Sequence, residues 1–437
     1  MNDKQVNALS ALRVGFEASD LSPERGGLYT YASQLLAHLG QLSDAPQITL
    51  IDGWGRHTRQ ELLIINGGSL PADRFARSRP LPLLHLAPGV WQRRPFSSLA
   101  WRADHHLIRP FWRWTDRVDP LARGVASWRL PRVLSGALDL CHWPFEEVFL
   151  PLHDMAHVVT LHDTIVLRYP EWHERWYVGE FTHRLRLVAR YATRIIADSD
   201  NTRRDVIELL GVSPDRIDVV PLAPRPEFRP PSDLAAYRDA LARHGLREGE
   251  YALYAGQFTT RKNIVRLATA FKQAIERAGR RGKGIRLVLA GKRGPATVGI
   301  ERELQALGLH DRLVMLGFVP QDDLVALMHG ARVVVYVSLY EGFGLPPLEA
   351  MATGAAVIAS NNSSVGDVMG DAGLLVDPYS VDEIAAALQQ VMTDDALRDD
   401  LIAHGLTRAA QFSWTRTAEL TMESYRRAVA TPRDRVS

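Results

Sequence analysis

Val333-Val334-Val335-Tyr336-Val337 runs into Ser338-Leu339-Tyr340-Glu341-Gly342-Phe343-Gly344-Leu345-Pro346-Pro347-Leu348-Glu349. The first five residues form a continuous apolar run, the pattern of a strand buried on both faces in a parallel sheet covered by helices. In open α/β sheets ligands bind just beyond the carboxyl ends of the strands, so a site is expected after Val337. Gly342 and Gly344 lack side chains and let backbone N–H groups approach a ligand closely. Pro346 and Pro347 suit the first turn of a helix, where a missing N–H costs little. A helix carrying Glu349 and Met351 therefore begins where its free N–H groups and positive dipole end would welcome an anion such as a diphosphate. Glu341 and Glu349 would lie at most ~12 Å apart if the whole interval were helical. They could accept hydrogen bonds from hydroxyls on both sides of a diphosphate, those of a sugar and those of a ribose. The bland alternative is that the two glutamates cap the helix and decorate its first turn, where acidic residues are stabilising anyway.

The same alternation of short apolar runs and amphipathic stretches extends over most of the chain, which makes the class α/β. Strands are expected in the first half at 12–18, 48–51, 139–142, 157–161, 194–198 and 217–220. In the second half they fall at 251–255, 286–290, 313–316, 333–336, 356–360 and 373–376, with helical patterns such as Ile264 to Ala278 between them. At 437 residues the chain exceeds what one core usually organises, so two domains are expected. Between the two sets of strands, Pro221-Leu222-Ala223-Pro224-Arg225-Pro226-Glu227-Phe228-Arg229-Pro230-Pro231 blocks both helix and ladder, and the interdomain linker is placed there. The domains are accordingly 1–222, 223–412 and a final amphipathic helix in 413–437, with Trp414, Ala418, Leu420, Met422 and Tyr425 as buried candidates; that helix could pack on either domain.

From about Arg56 to Ser135 the alternation weakens, and Arg93 to Arg132 mixes arginines with Trp101, Trp112, Trp114 and Trp128. This insertion reads as a solvated excursion packed by its own aromatics, as a basic, Trp-bearing surface for anionic lipid headgroups, or, with no recognised module to support it, as a nucleic-acid surface. Apolar residues at 46%, charged residues at 23% and a net charge of +2 describe an ordinary globular protein and give no argument for a nucleic-acid partner. Cys141 is the single cysteine, so an intrachain disulfide and a cysteine metal cluster are excluded and a reducing cytoplasm fits best. No segment approaches the roughly 18 to 20 apolar residues that span a bilayer, so any membrane contact would be peripheral, with the cytoplasmic face of the inner membrane as the expected place for it.

Other strand ends carry further chemistry. Tyr254-Ala255-Gly256-Gln257-Phe258-Thr259-Thr260-Arg261-Lys262-Asn263 follows the first strand of the second half, and Arg261 and Lys262 could stabilise the negative charge of a departing diphosphate without a metal; a solvated basic helix start would look the same. Val158-Val159-Thr160-Leu161-His162-Asp163 ends a strand of the first half on an ionisable pair, which outside any family is more often structural. Gly26-Gly27 precedes a helical pattern, as turns often do. Asp198-Ser199-Asp200 has the spacing of a carboxylate pair that could hold Mg²⁺ or Mn²⁺, but it stands just before a helical pattern, where Asp and Asn serve as caps.

The interval from Glu341 to Glu349 resembles the E-x7-E motif of retaining glycosyltransferases of family 4, which have the GT-B fold of two Rossmann-like domains facing across an interdomain cleft. The likeness continues through Ala350-Met351-Ala352-Thr353-Gly354-Ala355-Ala356-Val357-Ile358-Ala359-Ser360 and Gly373-Leu374-Leu375-Val376-Asp377-Pro378. The resemblance implies that Glu341 contacts the transferred sugar, that Glu349 holds the nucleotide ribose, and that the backbone from Gly342 through Phe343 and Gly344 to Leu345 faces the diphosphate. It implies a diphosphate loop at Gly256, Arg261 and Lys262, with Gln257 where many members have arginine and Arg261 compensating. It also implies a glycine loop at Gly26 and Gly27, a nucleobase loop at Phe318 and Val319, a site histidine in His162, and Asp163 toward the acceptor. The implied activity is transfer of a hexose, mannose from GDP-mannose, to a hydroxyl of a growing glycan or lipid-linked acceptor in bacterial polysaccharide synthesis. No cofactor or metal is implied. The rival readings are another sugar-nucleotide enzyme of this fold, an epimerase or phosphorylase, and an inactive scaffold homologue.

Overall fold

In the computed structural model the residues described are 12–18, 27–51, 138–146, 149, 155–294 and 296–431. The 56–135 insertion, with its arginines and tryptophans, and Gly26 lie outside them. The apolar runs become strands of two six-stranded sheets. In chain order the first half holds β1 (Arg13–Glu17), α1 (Gly27–Leu39), β2 (Gln47–Ile51), β3 (Leu140–Trp143), β4 (Ala156–Leu161), α2 (Ile165–Arg168), α3 (Arg175–Tyr191), β5 (Arg194–Ala197), α4 (Asp200–Leu210) and β6 (Ile217–Val219). Its strands lie in the order β2-β1-β3-β4-β5-β6, with β1 parallel to β2 and β3, and β3 parallel to β4.

The second half holds α5 (Leu234–Arg243), β7 (Tyr251–Ala255), α6 (Ile264–Ala278), β8 (Arg286–Ala290), α7 (Thr297–Ala306), β9 (Leu313–Gly317), α8 (Gln321–Gly330), β10 (Val333–Tyr336), α9 (Leu345–Ala352), β11 (Val357–Ser360), α10 (Ser363–Met369), β12 (Leu374–Val376), α11 (Val381–Thr393), α12 (Asp395–Ala409) and α13 (Trp414–Ala430). Its strand order is β12-β11-β10-β7-β8-β9, parallel throughout the paired registers. Counted from β7, this is the doubly wound order in which the chain first moves one way across the sheet and then the other. The direction reverses between β7 and β10, where strand ends diverge and leave a crevice.

The core of the second half follows from period two in the strands and period 3.6 in the helices. Ala252 and Tyr254, Leu287 and Leu289, and Val333 and Val335 share a buried cluster with Leu267 and Phe271 of α6 and Leu388 and Val391 of α11. Each such large side chain contributes roughly 1.5–3 kcal/mol on burial. Asn263 takes a left-handed φ of 60° just before α6, and Gly279 ends that helix at a φ of 55°.

Two compact units divide the chain, one of Met1–Thr160, Leu187–Ile195 and Thr421–Ser437, the other of Leu161–Arg186 and Ile196–Leu420. The proline-rich segment read as a linker lies inside the second unit, where Leu222, Ala223 and Phe228 are buried. Within that unit Trp414 Nε1 donates to Pro224 O at 3.0 Å. Trp414 and Ala418 are buried as expected, and so are Met422 and Tyr425, while Leu420 is only half-buried. In the first unit the Tyr425 hydroxyl meets His142 Nδ1 at 2.6 Å, His142 Nε2 meets Thr160 Oγ1 at 2.9 Å, and Thr160 meets the Tyr31 hydroxyl at 2.8 Å. No helix among the described residues is long and apolar enough to cross a membrane.

Candidate functional site

The second unit gathers charge where β7 and β10 end. Arg261 and Lys262 occupy a short turn after β7, and Glu341 lies five residues beyond Tyr336, the last residue of β10. Glu341 Oε1 accepts from Lys262 Nζ at 2.6 Å and Oε2 pairs with Arg261 at 2.5 Å. Arg261 also donates to Tyr340 O at 2.8 Å, which ties the two strand ends together. Lys262 donates to the Tyr336 hydroxyl and sits 4.7 Å from that ring's centroid. All three charged groups are largely buried. Burial would raise the Glu341 carboxyl, but Lys262 and Arg261 overrule it and bring the pKa down to about 2. Burial draws the Lys262 ammonium down to about 8 against the opposing pull of Glu341. The cluster therefore carries one net positive charge at neutral pH, in a place shielded enough for that charge to act strongly on an anion.

The loop after Glu341 packs without side-chain clearance. A Cβ on Gly342 would stand 2.1 Å from His162 O and 2.7 Å from Asp163 Cβ, so only glycine fits. Gly342 O accepts from Ser199 Oγ at 2.6 Å and Thr202 Oγ1 at 3.1 Å. Gly344, at a φ of 108°, is the N-cap of α9, and neither glutamate supplies a side-chain cap. The capping alternative for the pair is thereby removed: both carboxylates are buried among arginine or lysine instead. Leu345 is the first residue of α9, and Phe343 is buried with its ring edge toward Phe412 at 6.1 Å.

Glu349, in the second turn of α9, is 3% exposed and bound by both ends of one guanidinium: Arg225 Nε reaches Oε1 at 2.6 Å and a terminal nitrogen reaches Oε2 at 3.1 Å. Arg225 also donates to Gln321 Oε1 at 2.6 Å and lies 4.3 Å from the Phe228 ring centroid. Burial raises the Glu349 carboxyl and Arg225 opposes the rise. Sequence reasoning missed Arg225 and Gln321. Arg225 is one of two arginines in a proline-rich stretch, and the prolines drew the reading toward a linker.

His162 and Asp163 stand at the end of β4. His162 Nδ1 lies 3.6 Å from Asp198 Oδ2, and Asp198 is 2% exposed, its carboxyl raised by burial and lowered by its bond to His162. The cap of α4 is Ser199, whose oxygen accepts from Thr202 N at 3.0 Å; Asp198, weighed from sequence as a metal ligand or a cap, is a partner of His162 and Thr202. Asp163 Oδ1 accepts from Ile165 N at 3.0 Å, and burial raises its carboxyl against the pull of Arg261. Gly256 follows β7 with its N–H on Ala290 O at 2.9 Å. Gln257, where the family often has arginine, is exposed. Phe318 is 67% exposed beyond β9, with Lys292 Nζ 5.4 Å from its ring centroid, while Val319 is buried. Gly27 opens α1 in the first unit.

These residues make a buried cation pair beside a carboxylate, a helix start where Pro346 and Pro347 have no N–H and Leu348 N is bonded to Gly344 O, so that Gly344 and Leu345 supply the backbone donors, and a second carboxylate about one helical turn further along. Such a set can hold a diphosphate and the hydroxyls on either side of it. The chain matches the family described as Glycosyl transferases group 1 over residues 239–408 and Glycosyltransferase Family 4 over residues 26–224. It is 36% identical over 278 residues to the O-antigen chain mannosyltransferase B of Escherichia coli, covering 64% of this chain and 72% of that protein. It is 33% identical over 247 residues to the serotype-specific mannosyltransferase WbdA of Escherichia coli, covering 56% of this chain but only 30% of that much longer protein. Among solved structures, HepE of Anabaena in complex with UDP and glucose superposes with a TM-score of 0.64 at 16% identity, over 94% of this chain and 98% of that one. The lipopolysaccharide glycosyltransferase WaaG gives 0.64 at 14% identity over the same shares. The likeness to these structures establishes the GT-B fold.

Proposed function

The chain belongs to glycosyltransferase family 4, and from that premise we propose that it transfers a mannosyl residue from GDP-mannose to a hydroxyl of a growing glycan or lipid-linked acceptor, with the anomeric configuration retained. The observation that carries the donor half of this reading is the burial of Glu341 between Arg261 and Lys262 at the reversal point of the second sheet. Mannose is favoured because the relatives named above are mannosyltransferases of O-antigen.

In the reaction the bond between the sugar's anomeric carbon and the diphosphate breaks and a bond from the acceptor oxygen to that carbon forms on the same face. The acceptor proton passes to an oxygen of the leaving diphosphate. Lys262, Arg261 and the backbone N–H groups of Gly344 and Leu345 at the start of α9 stabilise the charge that develops there, which lets the reaction run without a resident metal. Glu341 accepts from hydroxyls of the sugar. Arg225 orients Glu349 and opposes the protonation that burial favours, leaving carboxylate lone pairs to accept from the ribose. His162, steadied by Asp198, orients hydroxyls between donor and acceptor, with Asp163 on the acceptor side.

A panel of GDP- and UDP-sugars, offered with oligosaccharide acceptors in the presence of EDTA, tests the reading. Mannosyl transfer from GDP-mannose is expected, falling at least about a hundredfold in both Glu341→Ala and Lys262→Ala. Near-wild-type transfer by either folded variant would remove the assignment, and loss of activity in EDTA would restore a metal to it.

A further inference from the structure

One group of residues beside the charge cluster is not used by the donor binding proposed above. The segment after Asp163 holds Tyr169, Trp172, His173, Trp176 and Tyr177 within nine residues, all half-buried. Tyr169 and Trp172 stack with ring centroids 4.1 Å apart and planes 10° from parallel. Tyr169 also makes an edge-type contact with Tyr340, the residue before Glu341, at 5.2 Å and 60° between planes. His173 Nε2 is buried and has no hydrogen-bond partner among the described residues. Burial lowers the His173 pKa, and the charges of Asp163 and then Arg261 act on the same ring, which places it within electrostatic reach of the cluster. An orphaned buried nitrogen is costly unless a ligand or water completes it. Stacked aromatic faces carry negative potential, which suits the weakly positive C–H groups on one face of a pyranose ring.

We propose that Tyr169, Trp172 and His173 form a subsite for a pyranose ring of the acceptor glycan, the ring stacking on the Tyr169–Trp172 pair while one of its hydroxyls bonds His173 Nε2. The proposal rests on the transferase reading for the word acceptor, but the subsite itself is a carbohydrate-binding element and can be tested without turnover. Its position is consistent with that role. Asp163, at the wall of Gly342, precedes the segment, and Tyr340, the residue before Glu341, contacts Tyr169 of the platform. The stacked pair also fixes the geometry of the platform before a sugar arrives, so little side-chain freedom is lost on binding.

Calorimetric titration of the full chain, saturated with GDP, against mannose-, glucose- and galactose-containing oligosaccharides provides the test. Wild type is expected to bind one class of these glycans. Trp172→Ala should weaken that binding about tenfold or more, Trp172→Phe should restore most of it, and His173→Gln, which leaves the platform in place, should weaken it with loss of selectivity for hydroxyl configuration. Unfolding midpoints and GDP affinity, read on the same samples, confirm that each variant is folded. Wild-type glycan affinity in both Trp172→Ala and His173→Gln would overturn the subsite, as would failure of the wild type to bind any of the glycans. Glycan binding that depends on Trp172 in a protein that transfers no sugar would instead overturn the transferase reading and leave the subsite standing.

Discussion

Burial favours the neutral amine of Lys262, and Glu341, 2.6 Å away, opposes it. With a pKa drawn from 10.5 to about 8, it loses charge within the range of ordinary assays. If its charge holds the diphosphate, kcat/KM falls as pH rises through about 8, and Lys262→Arg moves that limb upward because a guanidinium stays protonated. Stability moves the other way. Between about 8 and 10.5 the folded state binds fewer protons than the unfolded one, so folding becomes more favourable with rising pH while activity declines. A pH profile with no alkaline limb below 9.5 in wild type would dissociate Lys262 from the chemistry. Arg225 makes a different prediction. Replacing it with alanine leaves Glu349 buried without its cation, a loss of about 3 kcal/mol given that Arg225 is itself partly exposed. Adding Glu349→Gln should recover much of that loss, and denaturant midpoints of the two variants measure it. Equal midpoints for wild type and Arg225→Ala would show the pair contributes no net stability.

At the level of elements, the loop from Tyr340 to Gly344 is held from beneath by segments distant in sequence. Tyr340 donates its hydroxyl proton to Asp205 and accepts from Asn201, while Asp205 also takes Thr164 at 2.7 Å and Arg168 at 2.5 Å. The Gly342 carbonyl rests on Ser199 and Thr202. Gly342→Ala drives a methyl into His162 O, and overpacking of this kind costs about 1–3 kcal/mol. Loss of transfer together with a lowered melting temperature is expected, and an alanine variant with wild-type values of both would contradict the close approach. Such contacts explain what the sequence could and could not disclose. Strands were legible because a buried parallel strand is apolar along its whole length, and 251–255, 286–290 and 333–336 fall where the pattern put them. That Glu341 comes together with Arg261 and Lys262 was legible because all three follow the carboxyl ends of strands. Arg225 was not, since its partner lies 124 positions away and its neighbours are prolines. Asp198 was visible as a carboxylate, but nothing near it in sequence points to His162 as its partner.

For the whole molecule, the doubly wound plan occurs in the second half in the order that leaves a crevice between β7 and β10, and the first half carries a parallel sheet of its own. Sequence periodicity places the division at the proline-rich segment, whereas the compact unit that holds Glu341 also takes in residues 161–186 and 196–222. This matters for the site, because His162, Asp163, Ser199, Thr202 and Asp205 all come from those earlier residues. A fragment beginning at residue 223 would keep the second sheet, its core and the Arg225–Glu349 pair. It would lose the two hydroxyl donors to the Gly342 carbonyl and both partners of the Tyr340 hydroxyl. The sheet should still form, since its buried cluster draws entirely on residues 252–401. The loop above it should not hold its shape, because four anchoring side chains are gone and the face that Gly342 packs against is missing. Calorimetry is therefore expected to show a fragment that unfolds cooperatively but binds GDP at least about tenfold more weakly than the full chain, a loss of roughly 1.4 kcal/mol. Equal affinity would mean that the donor site needs nothing before residue 223, and the support from the earlier segments would then serve the acceptor alone.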